Sequence, residues 1–393
     1  MIKILRENSF IIFKLPKKNK ILFYDYVPKK MVKEIIGEKS FSYIFNYSNR
    51  EIYLLFLFFI FFNFKAIKIL FSDNLITYYS YIFIKYINPK LVITTTDNNI
   101  NFYKLKKYFK KIKFVAIQNG ARHKINDIFG NLEIEKFILE NNKCADTIFT
   151  FNTSISKYYE KYFKCKTIPI GKFFNNKFKT VDININKKNI LYISQYRAGN
   201  FKKDYFTFNN KKICSIKKWT EVERRLMPLL SKYCIKNNIK LTILGAAKED
   251  YNKAKEKKYF SLCIGSSNWR YWNKNISTIK RYEFISKFEY VVCSWSTLGL
   301  EMFARNVKVA FFRQKNIPPY NDRNFGWPYP MTDKGFWYSN QISYLEVKRI
   351  LNNLFRIKKS EWINKINHFK NKIMVYDEGN KKIKNFINNT YYD

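Results

Sequence analysis

Short apolar runs alternate along the chain with longer stretches in which apolar residues recur every three or four positions. A run of about four to eight residues bounded by polar or turn residues is typical of a buried parallel strand, and the longer pattern is typical of a helix packed on a sheet. The clearest helix is 219–238, whose Leu226, Leu229, Leu230 and Tyr233 fall on one face. The predicted strands are 21–27, 66–71, 91–96, 114–119, 147–151 and 167–171, followed by 189–195, 240–245, 259–265, 290–295 and 307–312.

The two series of strands predict an α/β protein with two Rossmann-like, parallel-sheet domains. The polar segment at 177–188 has neither pattern, so we interpret it as a linker between a first domain at 1–176 and a second at 189–350. The remainder, 351–393, has helical spacing again. Ligands of open α/β sheets bind beyond the carboxyl ends of the strands, so two facing sheets predict a central cleft lined by polar strand ends.

One apolar segment bears on whether the protein enters a membrane. IYLLFLFFIFF at 52–62 has eleven apolar residues, whereas a spanning helix needs about 20. We expect a buried core helix here, with an interfacial helix or a true span as alternatives. The amino terminus lacks the features of a secretory signal and the six cysteines form no CxxC pair, so we expect a cytoplasmic protein with reduced thiols.

The charge of the chain indicates an anionic partner. Lys and Arg number 73 against 30 Asp and Glu, which gives a formal net charge of +43 over 393 residues. Candidate partners are nucleic acid, the anionic inner leaflet of a membrane, and nucleotide or lipid-pyrophosphate substrates. The lysines are spread along the chain and no zinc-finger, RNP-like or basic-zipper pattern occurs, so we expect no nucleic acid partner.

The segment CSWSTLGLEMFAR at 293–305 has the residue types of a phosphate site. Ser294, Ser296 and Thr297 follow a predicted strand and precede a helix, whose first backbone N–H groups and partial positive charge attract phosphate. Glu301 is placed to accept hydrogen bonds from ribose hydroxyls. An ordinary helix N-cap with Glu301 in a capping box explains the same residues, and this segment alone does not separate the two interpretations.

Two further strand ends in the second half carry residues suited to a phosphate. NILYISQYR ends in Ser194 and Arg197, and KLTILGAAK ends in Gly245 and Lys248. A cation there can pair with phosphate, and a glycine permits close backbone approach. A surface ion pair is the ordinary alternative for each cation.

Polar residues also follow two strands of the first half. Asp97, Asn98 and Asn99 come directly after LVITTT, and Asp97 can act as a catalytic base if burial raises its pKa. Asp and Asn also commonly start turns, which is the alternative for all three. The next strand, FVAIQN, is followed by a second candidate base, His123, and includes or precedes the candidate binding residues Gln118, Asn119 and Arg122.

Several common catalytic motifs are absent. The sequence has no HExxH, GxxxxGK[ST], GxGxxG or GxSxG, which removes support from metalloproteases, P-loop NTPases, dinucleotide enzymes and α/β-hydrolases. It also has no DxD triplet, which weakens a metal-dependent sugar transferase of the single-domain type.

Six stretches occur in the order seen in one protein family. Together they resemble the bacterial surface carbohydrate biosynthesis proteins, which look like glycosyltransferases of the two-Rossmann-domain GT-B fold. The stretches are TTTDNNINFYKL, FVAIQNGAR, TIPIGKFFNN, NILYISQYR, SWSTLGLEMFARNVKV and MVYDEGN.

The resemblance implies a division of labour between the domains. The second domain would hold a nucleotide-sugar donor at Ser294–Glu301, and the first would hold a lipid-linked or oligosaccharide acceptor near Asp97 and Gln118–Arg122. A C-terminal helix would return to the first domain, and neither a metal nor a cofactor is expected. LGAAKED replaces the His-Pro pair of relatives that use CMP-activated sugars, and Asn119-Gly120 replaces the His-Gly of polyol-phosphate polymerases, so both activities become less expected.

From these features we predict a cytoplasmic glycosyltransferase that builds a surface polysaccharide such as O-antigen, capsule or lipopolysaccharide. Its basic surface would hold it against the anionic inner membrane. The alternatives are a GT-B-fold epimerase of nucleotide sugars and a noncatalytic scaffold of polysaccharide assembly.

Overall fold

The chain folds into two compact units. Unit 1 comprises Met1–Phe173 and Asp377–Asp393, and unit 2 comprises Phe174–Tyr376. The structure is a computed structural model, and it describes residues 9–13, 15–25, 27, 29–44, 50–53, 67–69, 74–122, 128–129, 132–141, 144–179, 189–196, 201–202, 205–208, 211–247, 249–273, 278–294, 296–314 and 325–392.

Unit 1 is built from strands that alternate with helices. In chain order these are β1 (Ser9–Ile12), β2 (Ile21–Phe23), α1 (Lys29–Ile36), β3 (Phe41–Tyr43), β4 (Arg50–Tyr53), α2 (Leu75–Ile87), β5 (Leu91–Thr94), α3 (Ile100–Lys106), β6 (Lys113–Ile117), α4 (Leu132–Glu140), β7 (Thr147–Thr150), α5 (Thr153–Phe163) and β8 (Lys166–Pro169).

Six of these strands form one parallel sheet in the order β3-β2-β5-β6-β7-β8, while β1 and β4 form a separate parallel pair. Counted within the sheet by chain order, the strands read 2-1-3-4-5-6. The chain therefore reverses its direction of growth between β2 and β5, and such a switch point is where open α/β sheets bind ligands.

The sequence of unit 1 explains its layers. All four residues of β5 are buried, as expected for a strand covered by helices on both faces. Helix α2 starts at the N-cap Asn74, whose side chain accepts a hydrogen bond from Thr77 N at 2.9 Å, and it ends at Asn88 in the left-handed conformation.

Unit 2 has a similar construction. Its elements are β9 (Asn189–Ile193), β10 (Phe201–Lys202), β11 (Tyr205–Phe208), β12 (Lys211–Ser215), α6 (Ile216–Trp219), α7 (Glu221–Lys236), β13 (Lys240–Leu244), α8 (Asp250–Ile264), β14 (Trp269–Trp272), α9 (Thr278–Ile285), β15 (Tyr290–Cys293), α10 (Thr297–Ala304), β16 (Lys308–Phe312), β17 (Tyr338–Ser339), α11 (Tyr344–Arg356) and α12 (Lys359–Ile373).

The main sheet of unit 2 is parallel, in the order β14-β13-β9-β15-β16-β17, and β10, β11 and β12 form a small antiparallel sheet. By chain order the main sheet reads 3-2-1-4-5-6, the order of the Rossmann fold, with its switch point between β9 and β15. The carboxyl ends of these two strands are therefore the expected ligand edge of unit 2.

The last helix, α13 (Lys381–Tyr392), belongs to unit 1. Its Ile383 and Ile387 are buried, and Phe386 packs edge-on against Phe149 with ring centroids 5.3 Å apart. Asn380 fixes the start of this segment by donating from Nδ2 to Phe173 O at 3.1 Å.

The return to unit 1 begins later than the predicted residue 351. Residues 351–376 lie in unit 2, because Trp362 is fully buried there and donates from Nε1 to Asn306 O at 3.1 Å. The start of the predicted linker, 177–179, also lies in unit 2, and the rest of it, 180–188, is outside the described residues.

The strand predicted at 259–265 is wrong. These residues form the end of α8, with Phe260 and Ile264 four positions apart on its buried side, and Gly265 in the left-handed conformation ends the helix. The strand of this region is β14 instead. An apolar run of this length does not by itself separate a strand from a buried helix segment.

Two other predictions fall largely on residues that are not described. Residues 67–69 are helical, which contradicts the strand predicted at 66–71, whose other positions are outside the described residues. Of the apolar run 52–62, Ile52 and Tyr53 end strand β4 rather than start a helix, and 54–62 are outside the described residues. Within the described ranges, no helix combines the length and the apolar composition that crossing a bilayer requires.

Candidate functional site

The switch point of unit 2 brings together the ends of β9 and β15. The two strands pair directly, with Ile193 opposite Cys293, so that Ser194 and Ser294 follow at the same edge. Both serines are buried, at 3% and 0% exposure. The structure thus joins two of the predicted donor residues at one sheet edge.

Helix α10 begins at this edge. Ser296 is its N-cap and accepts a hydrogen bond from Leu298 N at 3.2 Å, and Thr297 is its first residue. Gly299 explains how closely the helix approaches the sheet, because a Cβ at this position would overlap the sulfur of Cys293. The glycine is therefore required by packing of the helix on β15.

The structure places Glu301 inside unit 2. It is 3% exposed, and its Oε2 accepts a hydrogen bond from the Tyr282 hydroxyl. Asn175 Nδ2 donates to the Glu301 backbone carbonyl at 3.1 Å. The predicted ribose contact is not what this geometry provides, and a capping box is excluded because the third helical residue is Gly299.

Arg313 is a site residue that the sequence analysis missed. It directly follows β16, its Nε donates to Ser294 O at 3.3 Å, and its guanidinium lies 5.5 Å from the ring centroid of Phe325. Burial lowers the pKa of Arg313 to about 10, so it stays cationic at neutral pH. The available signal was an Arg at the end of a strongly apolar strand.

The ends of β9 and β13 are held by a buried carboxylate. Glu256, on α8, is fully buried and accepts hydrogen bonds from Ala246 N at 2.9 Å, from Ala247 N at 3.0 Å and from the Ser194 hydroxyl. The two backbone amides that follow β13 are therefore satisfied within the unit.

Gly245 is also explained by contacts within unit 2. A Cβ there would lie 2.6 Å from Tyr271 Cζ and 2.8 Å from Asn273 Nδ2, so its lack of a side chain makes room for protein groups. Tyr271 in turn donates to Glu256 at 2.7 Å. Gly245 and the Ser194 hydroxyl, both predicted to bind the donor, are thus engaged by groups of their own unit.

A second buried carboxylate lies below the loop that follows β9. Glu223 is 3% exposed and accepts from Gln195 N at 2.8 Å and from the Tyr192 hydroxyl at 3.0 Å. Burial raises the pKa of Glu223 to about 7. Glu223 was not among the predicted site residues, because it sits on the buried face of a predicted helix.

In unit 1, Asp97 is fully enclosed. Its Oδ1 pairs with Arg122 Nη2 at 2.8 Å and accepts from Asn119 N at 3.0 Å, while Oδ2 accepts from the Tyr159 hydroxyl. The Tyr103 hydroxyl donates to the Asp97 carbonyl at 2.6 Å. With no exposed surface and both oxygens engaged, Asp97 is built as the anchor of this loop rather than as an accessible base.

The other predicted acceptor residues surround that anchor. Gln118 links neighbouring strands by accepting from Phe151 N at 2.7 Å and donating to Gly120 O at 2.8 Å. Asn99 is the N-cap of α3, whereas Asn98 is exposed at the carboxyl edge. His123, Arg197 and Lys248 are outside the described residues.

The switch point of unit 1 holds a carboxylate that the sequence analysis did not single out. Asp25 follows β2 and is 3% exposed, and its Oδ2 accepts from the Thr94 hydroxyl and, at 3.1 Å, from Thr95 N. Its Oδ1 is buried and has no hydrogen-bond partner among the residues that the structure describes. Desolvation raises the pKa of Asp25 above that of an ordinary aspartate.

Nowhere in the described part of the chain do three or more His, Cys, Asp or Glu side chains gather as metal ligands would.

Comparison with known proteins gives a family and a fold. A family model described as "putative O-antigen biosynthesis protein" matches residues 115–391, and no curated protein sequence matches. The structure of MnaA from S. aureus with UDP has a TM-score of 0.51 at 13% identity, over 95% of this chain and 96% of that one. A variant of the wall teichoic acid polymerase TagF soaked with CDPG has a TM-score of 0.50 at 12% identity, over 96% and 89%. The predicted GT-B-like fold class is confirmed.

Proposed function

The chain belongs to the O-antigen biosynthesis protein family whose model it matches, and on that premise we propose that it is a glycosyltransferase. The proposed reaction moves a sugar from a nucleotide-sugar donor to a growing surface polysaccharide, such as O-antigen, capsule or lipopolysaccharide. The observation that carries this proposal is the position of Arg313 beside the start of α10, at the switch point of unit 2.

The donor diphosphate is proposed to bind at that position. The N-terminus of α10, at Thr297, and the guanidinium of Arg313 supply a partial positive charge and a cation at one sheet edge. Both favour the negative charge that develops on a departing diphosphate. The two structures compared above contain UDP and CDPG, which is in keeping with a nucleotide ligand.

Asp25 is the proposed catalytic base. Its Oδ1 has no hydrogen-bond partner within the described ranges, and an unsatisfied buried acceptor costs about 1–3 kcal/mol, which a substrate hydroxyl would relieve. Its raised pKa also brings it closer to neutrality, as suits general base catalysis. Acceptor binding must uncover Oδ1 for this contact.

In the proposed transfer, the base takes the proton of the acceptor hydroxyl, whose oxygen forms a bond to the anomeric carbon of the donor sugar. The bond from that carbon to the diphosphate oxygen breaks, and the nucleotide diphosphate leaves with the electron pair. In unit 2, Arg313 is the proposed partner of the leaving diphosphate. In unit 1, Asp97 holds the 118–122 loop through Arg122 and Asn119.

A nucleotide-sugar epimerase is the second candidate. It is favoured by the buried carboxylates Asp25, Glu223 and Glu256, two of them with a raised pKa, because proton transfer at a sugar carbon requires such groups. An epimerase converts the nucleotide sugar alone, whereas a transferase releases nucleotide diphosphate only when acceptor is present.

The test starts with melting temperatures in the presence of UDP, GDP, dTDP, CDP and CMP. A ligand that binds the folded state raises the melting temperature, so the matching nucleotide identifies the donor. The corresponding nucleotide sugar is then incubated with and without lipid-linked or oligosaccharide acceptor. Acceptor-dependent release of the diphosphate supports the transferase, acceptor-independent isomerisation supports the epimerase, and no shift with any nucleotide supports a noncatalytic scaffold.

We further propose a cytoplasmic protein held peripherally at the inner membrane, because the net charge of +43 favours an anionic surface.

A further inference from the structure

Lysines gather where the chain leads into the sheet of unit 1. Five of the six strands are preceded or opened by lysine: Lys39 lies before β3, Lys20 before β2 and Lys90 before β5, and Lys113 and Lys166 are the first residues of β6 and β8. Because the strands are parallel, all these positions lie at one edge, the amino edge. We define the lysine edge as Lys17, Lys18, Lys20, Lys39, Lys90, Lys110, Lys111, Lys113, Lys164 and Lys166.

Few acidic residues accompany these lysines in the described loops of the edge. Among the described residues of the same loops, the acidic ones are Glu38, which pairs with Lys33 at 2.7 Å, and Asp146, which pairs with the buried Lys106 at 2.7 Å. Both carboxylates are thus neutralised by cations outside the lysine edge. The ten lysines lie along a sheet edge about 24 Å wide, at about 4.8 Å per strand.

Tyrosines from the end of α13 and from α2 lie among these lysines. Lys20 and Lys39 lie 4.9 and 5.3 Å from the ring centroid of Tyr391, and Lys18 lies 4.9 Å from that of Tyr86. Tyr392 is 77% exposed. Tyrosine beside lysine is the combination that proteins place at the level of lipid headgroups.

We propose that the lysine edge, together with Tyr391 and Tyr392, docks unit 1 on an anionic lipid bilayer. The described loops that carry these lysines contain no arginine. Lysine is a mobile point charge that suits a diffuse anionic surface, whereas bidentate recognition of individual phosphates uses arginine. The carboxyl edge with Asp25 and Asp97 is the opposite edge of the same sheet, so the bilayer does not cover the candidate site.

This surface gives the proposed membrane association a location, and its test does not depend on the proposed transfer reaction. The full chain is mixed with vesicles of phosphatidylcholine alone or with about one third phosphatidylglycerol, without donor or acceptor, and cosedimentation is measured across a salt series. We expect binding only to the anionic vesicles, weakening as salt rises.

Two variants of equal charge locate the surface. The first carries Lys→Gln at Lys17, Lys18, Lys20, Lys110, Lys111 and Lys113, and the control carries Lys→Gln at six exposed lysines of unit 2, Lys217, Lys218, Lys232, Lys236, Lys257 and Lys258. We expect the first to lose at least about a hundredfold in affinity for anionic vesicles, and the control to lose less than about threefold.

Three outcomes would overturn the proposal: equal losses in the two variants, equal binding to both kinds of vesicle, or displacement from vesicles by an equimolar amount of a short single-stranded DNA. The last would assign the lysine edge to a nucleic acid. Vesicle binding that survives in a protein with no transfer activity would contradict the proposed function alone.

Discussion

Asp25 and Thr94 meet across the neighbouring strands β2 and β5, where the sheet of unit 1 changes direction: the Thr94 hydroxyl donates to one oxygen of the Asp25 carboxylate. The other oxygen is buried and has no partner in the part of the chain that the structure describes. Asp97 differs, because both of its oxygens are engaged. This contrast separates the two aspartates experimentally.

Replacing Asp25 by Asn should remove activity without unfolding the protein. We expect kcat to fall by about 10²–10⁴-fold, the range for loss of a general base. The melting temperature at neutral pH should not fall, because the variant no longer buries a carboxylate. Steady-state kinetics and thermal unfolding measure both, with Asp250→Asn, an exposed position, as the control. Unchanged kcat in Asp25→Asn would refute its role as base.

Asp97→Asn should act on stability first. It leaves the buried Arg122 guanidinium without its counter-ion, which costs about 3–5 kcal/mol of unfolding free energy. Urea unfolding measures this loss. The double variant Asp97→Leu with Arg122→Met should lose less unfolding free energy than the sum of the losses in Asp97→Leu and Arg122→Met alone. A stable Asp97→Asn protein with greatly reduced kcat would instead restore Asp97 as the base.

Arg313→Gln should weaken the binding of nucleotide diphosphate. A hydrogen bond to a charged group contributes about 1.5–3 kcal/mol, so we expect a loss of about ten- to hundredfold in affinity. Affinity for the corresponding nucleoside, which has no phosphate, should not change. Titration calorimetry with both ligands makes the comparison, and Arg349→Gln on α11 is the control. A similar loss for nucleoside and nucleotide would mean that Arg313 supports the fold rather than the phosphate.

Glu223 should make the protein less stable as pH rises from about 4.5 to about 7. Its folded pKa of about 7 lies above the ordinary 4.5, so in this window the folded state binds more protons than the unfolded state. Stability then falls with rising pH, by about 3 kcal/mol across the window.

The Glu223→Gln variant tests this dependence, because its amide oxygen can still accept from Gln195 N and Tyr192. The difference between the unfolding free energies at pH 5 and pH 7.5 should be smaller in this variant than in the native protein. Glu221→Gln, on the same helix and partly exposed, should retain the native dependence. Parallel pH profiles for native protein and Glu223→Gln would contradict the prediction. Asp25, whose pKa is also raised, contributes the same pH dependence of stability to all three proteins. Its contribution therefore cancels when they are compared.

The apolar runs predicted the fold class because buried parallel strands leave a strong local pattern. The run at 91–96 contains β5 and that at 290–295 contains β15. The run at 259–265 failed because Phe260 and Ile264 are buried by helical, not strand, geometry. Local sequence indicates that such a run is buried, but its tertiary contacts decide whether it forms a strand or a helix.

The sequence predicted where the residues of the candidate site lie better than it predicted what each of them does. Strand ends pointed to Ser296 and Thr297 at α10, but Gly245 and Gly299 are explained by contacts with Tyr271 and Cys293 that no local pattern contains. Asp25 was included in the apolar run at 21–27, where it was taken as part of the strand. Its significance arises from Thr94, 69 residues away in sequence.

Docking through the lysine edge, as proposed above, would set a minimum length for the acceptor of the proposed transfer. Six or seven residues separate Lys113 from Asn119 and Lys90 from Asp97, which at about 3.3 Å per residue is a stand-off of about 20 Å between bilayer and reacting hydroxyl. A lipid carrying a single sugar would not reach that height. Docking through the lysine edge would thus restrict the proposed transfer to late additions, after earlier enzymes have built a chain of several sugars.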